Sequence, residues 1–344
     1  MKVAVTGLNN TDNPGPGVPV IRSILNHPDF SGEIIGLHYD NLEPGIYMDG
    51  IKSRSYMIPY PSQGPESLLE RLRYIHSKEN IDVIIPTLDS ELYNFIHISD
   101  ELAVLGIKTF LPTTDNLEKR SKDKLFEFCE ENEIDSPKTF VINSLTQVNE
   151  ILKEINYPIV VKGIFYEAYI CYTFDEVRTN FYKIASKWGL PIIIQEYLVG
   201  DEVNVAAVGD GEGNTIGAVA MRKLFITDKG KGWAGVTIGD DKLIDLTHKV
   251  INALKWRSGL ELEILKSKKD GKYYLLEINS RLPAWVYLTQ AAGQNLPYYI
   301  LQLALGEKVK PVREYEIGKM FIRCSIDLIS DMKTYEKLSV YGEL

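Results

Sequence analysis

Polar side chains alternate with apolar ones in a short stretch whose chemistry suits a metal ion and phosphate. Glu263 lies on one face of a predicted strand, and Glu277, Asn279 and Arg281 share one face of the next. A turn at residues 269–271 would pair the two strands and bring Glu263 beside Glu277 and Asn279. Two carboxylates and an amide oxygen, converging without a compensating lysine partner, suit Mg²⁺. A solvated outer sheet face explains the same alternation, so both interpretations stay open for this hairpin alone.

Two further segments carry polar groups where a buried strand ends. Lys162 closes an apolar strand, a costly position unless its ammonium meets an anion or reaches water. Residues 195–202 join another buried strand to a glycine turn and then to Glu202. Extended backbone of this kind can bind a purine edge, and the carboxylate can accept both ribose hydroxyls. Taken singly, an exposed lysine and an ordinary interdomain linker are the simpler explanations.

Together, the order and spacing of these segments resemble the ATP-grasp superfamily, through nearly the whole chain. The nearest branch contains carbamoyl-phosphate synthetase, biotin carboxylase and amino-acid ligases. The most specific part is Glu263, followed 14 residues later by Glu277-Ile-Asn279-Ser-Arg281, which is similar to the family's Glu…Glu-x-Asn-x-Arg signature. The resemblance implies that Glu263, Glu277 and Asn279 bind Mg²⁺ or Mn²⁺, and that Arg281 stabilises the transferred phosphoryl group.

The resemblance implies ATP contacts elsewhere in the chain. Lys124, thirteen residues before Pro137, and Lys162 match lysines that contact phosphates. The segment from Gln195 onward matches the adenine hinge, in which the backbones of Glu196 and Leu198 would hold the base and Glu202 the ribose.

The sequence departs from the family in the flap that normally covers the phosphates. That flap is rich in glycine and serine, whereas residues 163–169 carry a single glycine and bulky side chains. We expect a shorter flap with fewer backbone contacts to phosphate, or its replacement by the glycine-rich, basic loop at residues 229–235. A surface hairpin tip explains that loop equally simply. Arg222, on the strand after the hinge, is a second cationic candidate for catalysis.

The elements that must position these residues follow from apolar periodicity. Continuous apolar strands alternate with amphipathic helices in the first third, which predicts a parallel sheet covered on both faces. Short strands with glycine turns follow residue 196, which predicts an α+β arrangement. The fold class is therefore mixed α/β and α+β, and the resemblance implies the following divisions: a doubly wound, Rossmann-like pre-ATP-grasp domain at 1–115, a central ATP-grasp subdomain at 116–195, a C-terminal ATP-grasp subdomain at 196–330, and an extension at 331–344.

A second substrate is expected beyond the carboxyl ends of the N-terminal strands, where open α/β sheets bind ligands. The loop at residues 7–17 presents the polar residues 9–13, and Asp89 and Glu91 could neutralise a substrate ammonium. The structural alternative is that these are turn and helix-capping residues.

Charge and cysteine content limit the classes of binding partner and the cellular compartment that we expect. The net charge of −9 disfavours a broad surface for nucleic acid or anionic membrane. Cys129, Cys171 and Cys324 give no disulfide framework or zinc spacing, and no targeting or membrane-spanning segment is apparent, so cytoplasm is expected.

The resulting expectation is an ADP-forming, ATP- and Mg²⁺-dependent ligase. It would join a carboxylate, on an amino acid or small peptide, to an amine or thiol through an acyl phosphate. A component that carboxylates or carbamoylates with bicarbonate, and a non-catalytic ATP-binding protein, remain alternatives, and self-association is left open. A nicotinamide oxidoreductase is disfavoured because residues 7–17 lack G-x-G-x-x-G spacing.

Overall fold

The computed structural model describes residues 1–11, 13–164, 167–227 and 232–344. They form two compact units, each discontinuous in sequence. Unit 1 comprises Met1–Asn116, Asn204–Glu261 and Asn279–Leu344, and unit 2 comprises Leu117–Val203 and Leu262–Ile278. The domain limits expected from the sequence remain a prediction.

Strands and α-helices both occur throughout the chain. The strands are β1 (Lys2–Val5), β2 (Glu33–His38), β3 (Arg54–Met57), β4 (Val83–Ile85), β5 (Thr139–Ile142), β6 (Ile159–Gly163), β7 (Ala168–Cys171), β8 (Ile192–Glu196), β9 (Gly200–Asp210), β10 (Thr215–Ile226), β11 (Gly232–Thr237), β12 (Arg257–Ser267), β13 (Tyr273–Asn279) and β14 (Met320–Ile322). The α-helices are α1 (Gly17–Leu25), α2 (Pro65–Glu79), α3 (Leu92–His97), α4 (Ser99–Val104), α5 (Thr114–Lys119), α6 (Leu125–Glu131), α7 (Val148–Ile151), α8 (Phe174–Trp188), α9 (Asp241–Leu254), α10 (Tyr287–Ala291), α11 (Leu296–Leu305) and α12 (Met332–Tyr341).

The N-terminal strands form the expected parallel sheet, in the order β3-β2-β1-β4. Val3 pairs with Ile34 on one side and with Val83 on the other, in parallel register. These side chains are almost fully buried, which explains why the strands are continuously apolar rather than alternating.

The C-terminal residues extend this sheet beyond β3. The backbone N–H of Met57 donates to the carbonyl of Gly342, and Ser55 and Leu344 exchange two backbone hydrogen bonds of 2.9 Å. Arg71 donates to the carbonyl of Gly342 through Nη2, at 2.8 Å. Because of these bonds, β3 is covered by backbone on its outer side.

Unit 2 contains a four-stranded antiparallel sheet in the order β5-β8-β6-β7. β6 is paired on both sides, and Lys162 lies opposite Ile193 of β8 and Ala168 of β7. Helix α8 buries Val177 and Ile184 in the core beneath the sheet. β6 ends at Gly163 and its antiparallel neighbour β7 begins at Ala168, with residues 165–166 between them outside the described residues.

The third sheet has six strands in the order β13-β12-β9-β10-β11-β14. The antiparallel pairing of β10, β11 and β14 agrees with the paired strands expected after residue 196. Helix α9 begins where Asp240 accepts a hydrogen bond from the N–H of Lys242 at 3.1 Å. In the described part of the chain, no helix is both long enough and apolar enough to span a membrane.

Candidate functional site

Lys162 lines a cleft in unit 2 with mixed apolar and polar walls. The cleft is also lined by Lys122, Leu125, Phe126, Ser136, Pro137, Thr139, Ile193, Gln195, Leu275 and Leu276. Two lysines on an otherwise mainly apolar wall give a surface suited to a flat base at one part and an anion at another.

The charges of three carboxylates act on the Lys162 ammonium. Burial lowers the pKa of Lys162, and the charge of Lys122 lowers it as well. Three carboxylates have the opposite effect and raise the pKa of Lys162, namely those of Glu277, Glu263 and Glu202. All three therefore lie within electrostatic reach of the ammonium. Unit 2 therefore brings together four residues predicted for ATP and metal binding, from β6, β9, β12 and β13.

Lys122 is the residue of this cleft that sequence reasoning missed. Its ammonium lies 3.3 Å from the Glu277 carboxylate, so the expectation of hairpin carboxylates without a lysine partner was wrong. Lys122 is far from the hairpin in sequence, and only the fold brings them together. Lys124 is exposed and precedes the first residue of α6. Lys122 and Lys124 are only two positions apart, and the sequence does not indicate which of them lines the cleft.

Some hydrogen-bonding groups of the predicted adenine hinge already have partners in the protein. Gln195 is buried, and its Nε2 donates to the hydroxyl of Thr139 at 2.9 Å. The backbone N–H of Glu196 donates to the carbonyl of Lys138 at 2.9 Å, so that N–H is not available to a base in this conformation. Leu198 is half-buried, just beyond β8.

In unit 1, Arg281 lies between two carboxylates. Its Nε is 2.9 Å from Oδ2 of Asp89, and its Nη1 is 3.4 Å from Oε2 of Glu261. Asn279 is buried and donates to the same Glu261 oxygen at 3.3 Å. Asp89 also accepts from the N–H of Ser280 at 3.1 Å and from its hydroxyl at 2.7 Å.

The remaining catalytic candidates are Arg222 and the glycine-rich loop, which belong to the β10–β11 part of the six-stranded sheet. Arg222 is exposed on β10, opposite Val236 of β11. Residues 229–231 of the glycine-rich loop lie outside the described residues, as do 165–166 after Lys162. The rest of that loop, 232–235, belongs to β11.

The Glu91 carboxylate binds groups of the fold itself and not a substrate ammonium. It is 1% exposed and accepts hydrogen bonds from the hydroxyls of Thr6 and Tyr39 and from the N–H groups of Thr87 and Leu88. Four donors satisfy a carboxylate, and burial raises the pKa of Glu91. The structural alternative is therefore the better one for this residue.

The expected substrate loop shows few described contacts of its polar side chains. Asn9 donates from Nδ2 to the carbonyl of Asn13 at 3.5 Å. Asp12 lies outside the described residues. A substrate at this loop remains a prediction.

We expect Glu91→Gln to lower the free energy of unfolding by about 2 kcal/mol, because the new amide NH₂ would face buried donors. Urea unfolding of the full chain measures this. Glu70→Gln, an exposed change on α2, is the control and should stay within about 0.5 kcal/mol. Equal stabilities for the two variants would contradict the structural role.

The donor chemistry fits a hard cation bound together with phosphate. Among the described residues, no group of three or more His, Cys, Asp or Glu side chains forms a ready-made metal cage. Mg²⁺ does not need one, since it usually takes one or two carboxylates and fills its shell with water and substrate phosphates. Glu263 and Glu277 would hold the ion in unit 2, where it would neutralise phosphate charge.

Comparison with known proteins agrees with this chemistry. A family model described as "ATP-grasp in the biosynthetic pathway with Ter operon" matches residues 190–321. The carbamoyl phosphate synthase large chain of Clostridium botulinum (strain Alaska E43 / Type E3) is 25% identical over 240 residues, which are 62% of this chain and 21% of the relative. That of Clostridium beijerinckii is 26% identical, with the same coverage of both chains. The chain thus spans about a fifth of the length of these curated relatives.

Solved structures share the fold over nearly the whole chain. The biotin carboxylase domain of Hydrogenobacter thermophilus 2-oxoglutarate carboxylase, a dimer in complex with MgADP, ADP and bicarbonate, has a TM-score of 0.70 and 17% identity, covering 91% of this chain and 71% of its own. An L-amino acid ligase from Bacillus licheniformis has a TM-score of 0.63 and 14% identity, with coverages of 91% and 78%. The family model over residues 190–321, the carbamoyl phosphate synthase relatives and the fold of the solved structures all agree with the resemblance of the Glu263-to-Arg281 signature to the ATP-grasp superfamily.

Proposed function

We propose that this chain is an ATP- and Mg²⁺-dependent ligase that joins a carboxylate to an amine through an acyl phosphate. The observation that carries the proposal is the cleft of unit 2, where Lys162 lies near Lys122 and within reach of Glu202, Glu263 and Glu277. Cations for phosphate and carboxylates for a metal ion are the charges that binding of Mg²⁺–ATP requires.

The residues divide into roles by their chemistry. The apolar wall of the cleft, with Leu276 and Ile193, would contact the faces of the adenine, and Glu202 the ribose. Lys162 and Lys122 would hold phosphate oxygens. Lys124, an exposed neighbour at the start of α6, would be a further phosphate contact, as the resemblance implies.

The reaction then needs few protein groups. A carboxylate oxygen of the substrate bonds to the γ-phosphorus of ATP while the bond to ADP breaks. The amine nitrogen next bonds to the acyl carbon, phosphate leaves, and the amine proton passes to solvent. Arg281, assisted by Arg222, would stabilise the charge of the transferred phosphoryl group, and Asn279 would add an amide oxygen to the metal ligands. Mg²⁺, when bound, would neutralise phosphate charge.

Release of ADP and phosphate from Mg²⁺–ATP, in the presence of pooled carboxylates and amines, tests the proposal. We expect release that depends on both a carboxylate and an amine, with a new mass equal to their sum less water. Release with bicarbonate alone would instead favour a carboxylating or carbamoylating activity, as the biotin carboxylase neighbours suggest. Nucleotide binding without release, over the whole pool, would contradict catalysis.

A further inference from the structure

Glu261 of β12 is a buried carboxylate outside the predicted ATP and metal ligands. It is 6% exposed and accepts hydrogen bonds from four side chains of unit 1. Its Oε1 accepts from Trp285 at 2.8 Å and Asn204 at 3.0 Å. Its Oε2 accepts from Asn279 at 3.3 Å and from Nη1 of Arg281 at 3.4 Å. Two of these four donors are the Asn and Arg of the family signature.

The charge of Glu261 decides which way the Asn279 amide faces. An ionised carboxylate only accepts hydrogen bonds, so the Asn279 amide must turn its nitrogen toward Glu261 and its oxygen away. Only that oxygen can bind a hard cation. Asn204 is turned in the same way on the other side, and its Oδ1 is buried without a hydrogen-bond partner among the described residues.

The same carboxylate restrains Arg281. Asp89 holds the Nε of Arg281 at 2.9 Å while Glu261 contacts Nη1, so the guanidinium is held by carboxylates at two of its nitrogens. Ser280 in turn fixes Asp89 through two hydrogen bonds. These contacts restrict the conformations open to a long, flexible side chain.

We propose that Glu261 is a positioning residue, which presents the Asn279 oxygen for metal binding and fixes the Arg281 guanidinium for the transferred phosphoryl group. This role rests on the proposed function of the chain. Glu261 would not be a metal ligand itself, because its two oxygens already accept the four hydrogen bonds described above.

The proposal requires a carboxylate at this position, not just a polar side chain of the same shape. A glutamine offers one accepting oxygen and one NH₂ donor. Its NH₂ would face either the Asn204 and Trp285 donors or the Asn279 and Arg281 donors, so one pair must turn away. If the Asn279 amide turns, nitrogen replaces oxygen where a cation would bind.

Glu261→Gln in the full chain is the test, with ADP as the probe and calorimetry as the measurement. Mg²⁺ should increase the affinity for ADP. We expect the Mg²⁺ concentration that gives half of this increase to be about tenfold higher or more in the variant. ADP affinity in EDTA should change less than about twofold, since the base and ribose contacts remain. Glu212→Gln, an exposed change in the turn between β9 and β10, is the control.

Two further variants keep the test decisive. Trp285→Phe removes one donor to Oε1 and leaves both partners of Oε2, so its Mg²⁺ requirement should change less than about threefold. Glu261→Asp keeps the negative charge but moves the carboxylate away from its four donors, because the side chain is shorter. This variant takes the place of Glu261→Gln if Glu261→Gln does not fold. An unchanged Mg²⁺ requirement in a folded variant would overturn the positioning role alone. A wild-type chain without Mg²⁺-dependent ADP binding would overturn the proposed function, and the positioning role with it.

Discussion

Replacing Glu277 with glutamine is expected to lower Mg²⁺-dependent ATP turnover about 100-fold, or about 3 kcal/mol of transition-state stabilisation. The variant keeps the shape of the side chain but removes the charge that pairs with Lys122 and faces Lys162. Mg²⁺ affinity should fall in parallel, because a neutral amide is a weaker ligand for a hard cation.

Titration of Mg²⁺ against bound ATP, together with ADP release, measures both effects of the Glu277 change. Glu150→Gln is the matched control, since Glu150 is an exposed glutamate of the same unit. If both variants bind Mg²⁺ and ATP like the wild type, and stability changes by less than about 0.5 kcal/mol, the hairpin is only a solvated sheet face.

Lys162→Ala is expected to weaken ATP binding about 30-fold while the protein stays folded. A hydrogen bond between charged groups contributes about 2 kcal/mol, which corresponds to that ratio. Since burial and Lys122 lower the pKa of Lys162, its charge is lost at a lower pH than that of an ordinary lysine. ATP affinity of the wild type should therefore decline as the pH rises through this lowered pKa, and that decline should be absent in the variant.

Calorimetric titration with ATP over a series of pH values checks the Lys162 prediction. Lys187→Ala is the control, because Lys187 lies on the exposed side of α8 and its ion pair with Glu167 contributes little. Unchanged ATP affinity of the Lys162 variant at neutral pH would remove this lysine from the site.

Strands with continuous apolar residues were predicted accurately because burial on two faces leaves a strong pattern. The strands β1, β2 and β4 of the parallel sheet and the strand that ends near Lys162 follow from such runs, whereas β3, which lacks a continuous apolar run, was not predicted. The signature from Glu263 to Arg281 was recognised by its resemblance to a family pattern, and the roles of its residues stay predictions.

The partners of the site residues could not be predicted, because they depend on contacts between distant segments. The Lys122–Glu277 pair joins residues more than 150 positions apart, and Arg281 meets Asp89 from a still more distant segment. Glu91 has polar neighbours in sequence that suggest a surface loop, whereas Thr6 and Tyr39 satisfy it in the interior. Sequence alone identified many of the charged groups, but it missed Lys122 and did not show which groups were already neutralised.

The pairing of residues 342–344 with β3 also bears on solubility. The outer strand of an open sheet presents unpaired N–H and C=O groups, which attract other strands and promote aggregation. In this chain Gly342 and Leu344 form backbone hydrogen bonds with the outer N–H and C=O groups of β3. Arg71 also donates a hydrogen bond to the Gly342 carbonyl. Residues 342–344 therefore cover the outer edge of the first sheet, so a variant without them would expose an unpaired edge strand although no residue of the candidate site had been removed.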